Sequence, residues 1–462
     1  MPDRAIVWLR RDLRLTDHAA LAFATQHCRE VCLAFVYDAN ILDRLPNRQD
    51  RRVQFIHQSL EEIFRKTGAL VTLVGDPVEL IPALAQDLGA DWVVAAHDDD
   101  PYAVSRDSRI REVLGERFQT VLDHLVREKQ QVVKDDGTPY RVYSPYRRAW
   151  QASVVSQDFA PKDPDLSRLK RPARVNVGQV GNPTLEQIGF QGCGRLVVEP
   201  GEDAARGQLA QFAAKLPNYK IDRDTPSRLG TSGLSTALRF GTVSIRECLR
   251  IARADGSPGA ETWENELIWR EFYHMILANF PEVGAGRAFN PQYQGLEWPG
   301  DPGSFDLWKA GQTGYPLVDA AMRCFAATGW MHNRLRMVTA MFLTKDLLLD
   351  WRLGEAYFAD NLLDFDLASN NGGWQWSAGT GADAQPYFRI FNPVLQSRKF
   401  DPEGEFIREW VPELRGLDSE SVHWPFSPDG TRNLVTPPGY PDPLVDHAVQ
   451  KSKAIALFQT EF

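Results

Sequence analysis

From Ala5 to about residue 126, short apolar runs alternate with amphipathic segments. The runs AIVWL, VCLAFVY, LVTLVG, WVVAAH and TVLDHLV predict strands, because they are short and rich in β-branched residues. The segments near 17–27, 51–66, 77–88 and 101–116 predict helices between them. Such alternation predicts a parallel sheet covered on both faces. From about 129 to 199 the pattern lapses. DDGTPYRVYSPYRRAW is turn-rich, and the stretch after it is rich in Pro and Gly, which predicts a connector wrapping the surface. From about 200 onward the period is helical, beginning with EDAARGQLAQFAAKL and its acidic first turn. The pattern therefore divides the chain into 1–128, 129–199 and 200–462.

Within the helical part, Gly329–Gly379 concentrates the unusual chemistry. It holds Trp330, Trp351, Trp374 and Trp376. MVTAMFLTKDLLLDW runs without a breaker and predicts a buried helix. Asn333, Arg336 and Met337 fall at helical spacing on one face. Asn370-Asn371-Gly372-Gly373 predicts a turn leading into Trp374. Arg336 is expected to meet an Asp, either as a staple between helices or as part of a site.

Composition narrows the class. Hydrophobic content of 43% and charged content of 24% fit a soluble globular protein. A net charge of −9 argues against a generally nucleic-acid-coated surface, while leaving room for a local basic patch. Five scattered cysteines without a CxxC pair fit a reducing compartment and neither a disulfide framework nor a zinc site. No signal peptide or membrane span is expected, so the sequence predicts a cytoplasmic protein with no resident metal. After AIVWL comes RRDLRL with no GxGxxG turn, which argues against dinucleotide binding in the Rossmann manner. Thirteen tryptophans are more than core filling usually calls for.

Three further segments carry candidate chemistry. GTSGLSTALRFG sets Thr231, Ser232 and Ser235 among glycines before a helix, a pattern that serves phosphate binding or plain helix capping. TWENELIWREFYHMI spaces Glu266 four residues from Arg270 and three from Trp269, among aromatic neighbours. PYFRIFNPVLQSRKF interleaves Arg389, Arg398 and Lys399 with aromatics, which suits phosphate contact with base stacking, or a solvated basic face.

Taken in order, WLRRDLRLTDHAAL, ELIWREFY, TGYPLVDAAMR, TGWMHNRLRM, DLASNNGGWQWSAGTG and PYFRIFNP resemble the photolyase/cryptochrome flavoprotein family over nearly the whole chain. Within it they are most similar to class I cyclobutane pyrimidine dimer photolyases. The resemblance implies a Rossmann-like α/β antenna domain with a parallel sheet and an all-α C-terminal domain holding FAD. It implies that Tyr219, Thr231, Ser232, Gly233, Leu234 and Ser235 lie around the FAD phosphates. Trp263, Glu266 and Arg270 match the cavity wall, and Trp330 and Asn333 also match cofactor contacts. Arg336 and Asp364 match a buried pair beside the isoalloxazine, Asp366 a flavin-edge position, and Asn370 the residue facing flavin N5. Trp374, Trp351 and Trp298 match the proximal, middle and distal members of a photoreduction chain. Trp269, Asn333, Arg334, Met337 and Trp376 match the lesion pocket, with Glu266 reaching the thymine edge and Arg223 at the DNA-facing rim.

The implied partner is damaged DNA with a flipped pyrimidine dimer, bound by a monomer. Gly284 and Ala285 stand where folate-binding relatives have Cys-Lys, so the resemblance disfavours methenyltetrahydrofolate as antenna. Asp38, Asp98 and Asp100 look more like 8-hydroxy-deazaflavin-binding relatives; an empty antenna site is the remaining option. The rival readings are a cryptochrome-type photoreceptor without repair and a DNA-binding protein with no redox role. Retention of Asn370 and a short segment after the last motif favour repair.

Overall fold

The computed structural model describes residues 2–459. The chain forms two compact units. The first takes the chain up to Tyr140, then Ser144–Pro217 and Ser232–Asn279. The second takes Arg141–Tyr143, Asn218–Thr231 and the described chain from Phe280 on.

The first unit is built on a six-stranded sheet of order β5-β4-β1-β2-β3-β6. Its strands are β1 (Arg4–Leu9), β2 (Glu30–Asp38), β3 (Leu70–Gly75), β4 (Trp92–Ala96), β5 (Phe118–Val121) and β6 (Gln179–Val180). β1 to β5 pair in parallel, and β6 adds antiparallel to β3. In the central register Ile6 lies opposite both Cys32 and Val93. The four expected helices form at Ala19–His27, Arg51–Thr67, Pro77–Asp87 and Pro101–Leu114, the last three started by Asp50, Asp76 and Asp100 as side-chain caps.

Two expectations need correcting here. TVLDHLV is not a strand throughout: β5 ends at Val121, and Asp123 turns into a buried ion cluster. The 129–199 segment is more than a surface connector. It supplies β6 and the helix Tyr143–Ser153, whose Tyr146 and Trp150 are buried. Two large aromatics four residues apart are an apolar helix stripe, hidden in sequence by the turn-forming residues before it.

The edges of the two units also fall elsewhere than the 128/129 and 199/200 divisions. Helices Glu202–Ala213, Ile245–Asp255 and Pro258–Asn279 belong to the unit that carries the sheet. Charge pairing accounts for this. Arg246 bonds Asp17 at 2.8 Å and Asp123 at 2.9 Å, Arg250 bonds Asp17 at 2.8 Å, and Arg14 bonds Asp123 at 2.7 Å. Burial works to raise the Asp123 carboxyl, but Arg14 and Arg246 outweigh it and hold the group below the usual range. Glu202 accepts from the Leu15 and Thr16 amides. The RRDLRL loop thus spends its arginines on internal carboxylates: Arg10 on Asp107, Arg11 on Asp98, Arg14 on Asp123. Gly241, at φ +67°, lets this loop approach: a Cβ there would stand 1.9 Å from the Arg11 carbonyl.

The second unit is helical, with no strand among its described residues. Helices Pro316–Thr328, Asn333–Met341, Trp351–Asn361 and Leu367–Ala378 share a core that includes Phe325, Leu335, Phe342, Trp351, Phe358 and Trp374. MVTAMFLTKDLLLDW is buried, but it is not one helix. The helix ends at Met341, a π turn covers Phe342–Asp346, and Leu348 sits at φ 54° before Asp350 caps the next helix. Lys345 and Asp346 lie inside this break. Lys345 donates to the Ala378 carbonyl at 2.7 Å and lies 3.6 Å over the Phe458 ring, while Asp346 meets His447 at 2.6 Å. Tertiary partners for two buried charges displace the regular i→i−4 ladder.

The Asn-Asn-Gly-Gly tetrad is likewise helix, not turn. It lies inside Leu367–Ala378, whose first turn is capped by Asp366 accepting from Ser369 N. Local propensity loses because both Asn side chains are bonded across to neighbouring segments.

Candidate functional site

The second unit brings together most of the residues singled out in Gly329–Gly379. His332 caps the Asn333–Met341 helix through Nδ1, accepting from Arg334 N at 3.2 Å. Asn333 is exposed, and Arg336 and Met337 are half-buried along that helix. Arg336 donates to Asp364 at 2.7 Å and to the Met331 carbonyl at 2.8 Å. Asp364 is buried, and its other oxygen, Oδ1, has no hydrogen-bond partner among the described residues. A buried carboxylate oxygen left open is costly, and a ligand N–H would satisfy it. Asp366 is a helix cap with Asn370 one turn later on the same helix. Beyond its own stretch of helix, a Cβ at Gly373 would meet nothing within 4 Å among the described residues, so packing there does not require a glycine.

Trp374 is buried with its ring 5.0 Å from Phe358 and 6.2 Å from Trp308. Trp351 is buried in the same core, under the Arg352 guanidinium, and half-buried Trp298 packs against that core. Trp298 also meets Phe458 edge-on at 6.2 Å. Trp308 lies in the helix Gly303–Lys309, and nothing local in the sequence marked it as a neighbour of Trp374.

Gly354 makes room for Trp374: an added Cβ would lie 2.0 Å from the ring's Cη2. The ring is hemmed in by Phe358 and Trp308, so it cannot swing away. Gly354→Val is expected to cost about 1–3 kcal/mol by overpacking. Denaturant unfolding would read this as a lower midpoint, and an unchanged midpoint would refute the contact.

Around these residues, Arg334 bonds Asp224 at 2.9 Å and lies 4.3 Å over the Phe400 ring. Tyr219 is buried, with the Arg223 guanidinium 5.4 Å from its ring centre. Trp330 and Trp376 are half-buried. Arg389, Arg398 and Lys399 are exposed.

The first unit holds the other expected residues except Thr231, which is half-buried at the end of the second unit's Asn218–Thr231 segment. Trp263, Glu266, Trp269 and Arg270 lie on the helix Pro258–Asn279. Trp263 is buried against Phe212, Glu266 is half-buried, Trp269 meets Phe272 edge-on, and Arg270 donates to the His124 carbonyl at 2.6 Å. Ser232 accepts at its carbonyl from Gln208, and a Cβ at Gly233 would lie 2.3 Å from that Gln208 nitrogen. Leu234 is buried and Ser235, exposed, opens a six-residue helix. The three antenna candidates all have internal work. Asp38 accepts from Tyr102 at 2.6 Å, Asp98 pairs with Arg11 at 3.0 Å, and Asp100 caps a helix.

Sequence reasoning passed over Glu355. Its carboxyl is largely buried and bonded to Asn371 at 2.8 Å, and burial pushes it up to about 7. A signal was available: Glu355 follows Trp351 by four residues and precedes Phe358 by three, so it lies close to the apolar stripe of its helix.

Comparison with known proteins gives a consistent picture. Residues 5–165 match the model of the DNA photolyase family, and residues 263–460 match the FAD binding domain of DNA photolyase. The chain is 39% identical to the deoxyribodipyrimidine photo-lyase of a Synechococcus species, over 98% of this chain and 96% of that protein. A bacterial class III photolyase from Agrobacterium tumefaciens superposes with a TM-score of 0.89 at 34% identity, covering 100% of this chain and 98% of that one. A Synechocystis cryptochrome superposes with a TM-score of 0.83 at 26% identity, covering 99% of each. Sequence and architecture agree over the full length, and the chain belongs to the DNA photolyase family.

Proposed function

We propose that this chain is a light-dependent deoxyribodipyrimidine photo-lyase that splits cyclobutane pyrimidine dimers in DNA with FAD. The observation that carries the reading is the full-length match to proteins of that activity. Asp364, with one oxygen on Arg336 and the other open and buried, supports a polar cofactor edge at that point. FAD, when bound, supplies a light-driven electron that opens the cyclobutane ring and is recovered when the bases separate.

The protein's part is to bind, orient and keep water out. Arg336, Asp364, Asp366, Asn370, Trp330 and Asn333 are assigned to the flavin. Tyr219 and Thr231 to Ser235 are assigned to the phosphates, with Trp263, Glu266 and Arg270 along the wall. Trp269, Met337 and Trp376 offer apolar faces to a flipped dinucleotide, and stacking of this kind contributes about 1–3 kcal/mol per base. Extrusion itself costs a few kcal/mol. Asn333, Arg334 and Arg223 would bond the base edge and backbone, while Glu266 accepts from a base N–H. Exposed Arg389, Arg398 and Lys399 supply local positive charge that the total of −9 conceals.

Within the family we favour the class I cyclobutane-dimer branch, a monomer, and a cytoplasmic location. For the antenna we keep 8-hydroxy-deazaflavin ahead of folate or no chromophore, although Asp38, Asp98 and Asp100 each already serve a structural bond. The test is an absorbance spectrum of purified protein, then illumination of the reduced form with a thymine-dimer oligonucleotide. Bound flavin and restored thymines are expected. Bound flavin without repair would favour a cryptochrome, and a protein that takes up no flavin would overturn the reading altogether.

A further inference from the structure

Residues 123–127, just after β5, are bonded along their length to other parts of the first unit. At one end Asp123 lies in the arginine cluster, 2.7 Å from Arg14 and 2.9 Å from Arg246. In the middle the His124 carbonyl accepts from Arg270 Nη1 at 2.6 Å. At the other end the Val126 and Arg127 amides donate to the two carboxyl oxygens of Glu271, at 2.5 and 3.2 Å. Trp150 Nε1 adds a third donor to Glu271 at 3.1 Å. Arg270 and Glu271 are successive residues of the helix Pro258–Asn279, so one turn of that helix grips the segment twice.

Cohesion alone does not call for a glutamate here. Glu271 is 2% exposed, and burial pushes its carboxyl up. A well-packed apolar side chain would join helix and loop at least as firmly, since a buried charge adds little net stability. What the carboxylate adds is direction. Two N–H bonds to one carboxylate fix the orientation of successive peptide planes, which an apolar contact does not. The His124 ring does not supply that direction. Both of its nitrogens are buried without a hydrogen-bond partner among the described residues. The His124 carbonyl is therefore held through the chain, from Asp123 before it and from the Val126 and Arg127 amides after it. The Arg127 side chain pairs separately with Asp158 at 3.1 Å. The loop thus stays attached without Glu271, and what is lost is its orientation.

We propose that Glu271 is a positioning residue: by holding the Val126 and Arg127 amides it sets the His124 carbonyl, and that carbonyl fixes the Arg270 guanidinium in the orientation that meets FAD. The inference rests on the reading of Arg270 as part of the FAD cavity wall. An arginine side chain is long and flexible. Fixing it before the cofactor arrives removes an ordering cost from binding. FAD carries a negatively charged diphosphate, which a cation held at the wall attracts.

The test titrates flavin-free full-length protein with FAD, with its melting temperature as a second readout. The variants are E271Q, E271D, W150F, R270A and E271Q/R270A. Glutamine keeps one acceptor but turns an NH2 group toward an amide N–H. Aspartate keeps the charge but is shorter by a methylene. Each is expected to weaken FAD binding about tenfold, and E271Q is expected to add nothing once Arg270 is gone. W150F removes a different donor from the same carboxylate and leaves both loop amides bonded. It is expected to lower the melting temperature without changing FAD affinity, which a merely structural Glu271 would not allow. E271D carries the test if E271Q does not fold. Unchanged affinity in the Glu271 variants, equal weakening by E271Q with and without Arg270, or weakening by W150F that matches theirs would overturn the proposal. An R270A protein with the parent's affinity would remove Arg270 from the wall and the proposal with it. A parent that binds no FAD would defeat the functional reading beneath both.

Discussion

A Trp374→Phe protein is expected to lose light-driven reduction of its oxidised flavin while still repairing DNA once the flavin is reduced chemically. Trp374 is buried in the unit's core, edge-on to Phe358 and Trp308. Phenylalanine preserves an aromatic ring in that slot, so the fold and the flavin contacts survive, with a packing cost of about 1–3 kcal/mol at most. What changes is ease of oxidation, since a benzene ring gives up an electron far less readily than an indole. Trp351 in the same core and Trp298 at its edge remain, but a path that starts at Trp374 is cut at its first member. Blue-light bleaching of the oxidised flavin band in the presence of a thiol measures the loss. Unchanged bleaching would remove Trp374 from the path, and failure of the chemically reduced protein to repair would show damage to the site itself.

The second large effect is one of lesion choice. The protein is expected to restore cyclobutane dimers and to leave six-four photoproducts unrepaired. The resemblance implies that six-four enzymes carry a histidine pair on the helix that here starts at Asn333, because that reaction needs a proton delivered to the lesion. Here the corresponding residues are Asn333, exposed, and Met337, half-buried, and neither is a general acid near neutral pH. His332 is the one imidazole close by in sequence, and the structure takes it out of contention. Its Nδ1 is occupied by the Arg334 amide, and burial pushes it down to about 4. Burial therefore favours its neutral form near neutral pH. Cyclobutane splitting needs an electron and its return, so no acid is missing. Illumination of reduced protein with oligonucleotides bearing one defined lesion each, followed by chromatography, decides the matter; conversion of the six-four substrate would sink the argument.

The pattern of apolar runs was enough to place β1 to β4 and their helices, because buried parallel strands are short, branched and separated by polar helices. It misjudged β5 beyond Val121, where apolar residues flank Asp123. It also misjudged Asn370–Gly373, whose helix is held by bonds to Glu355 and Val283 that lie far away in sequence. The Arg336 pairing could be anticipated locally as a charge needing a partner, and it was the resemblance, not the local pattern, that named Asp364, to which Arg336 is bonded at 2.7 Å. The apolar stripe beside Glu355 signalled a half-buried acid, but nothing local identified Asn371 as the residue it bonds across the helix pair. Local propensity reads local bonds, and the candidate site is made largely of long-range ones.

The ion cluster on Asp17 and Asp123 has a consequence for how the protein is made. The first five strands are synthesised by Val121, yet two of the arginines that neutralise these carboxylates, Arg246 and Arg250, come 229 and 233 residues after Asp17. Until then the nascent sheet retains Arg14 but lacks the rest of its cations, and removing one side of a buried pair costs about 3–5 kcal/mol. The α/β part is therefore finished late, by chain that reads as belonging to the helical half. A gene fragment cut at residue 200 would yield a sheet with uncompensated buried acids, prone to aggregate or be degraded, whereas a cut after Asn279 would keep every partner of that cluster.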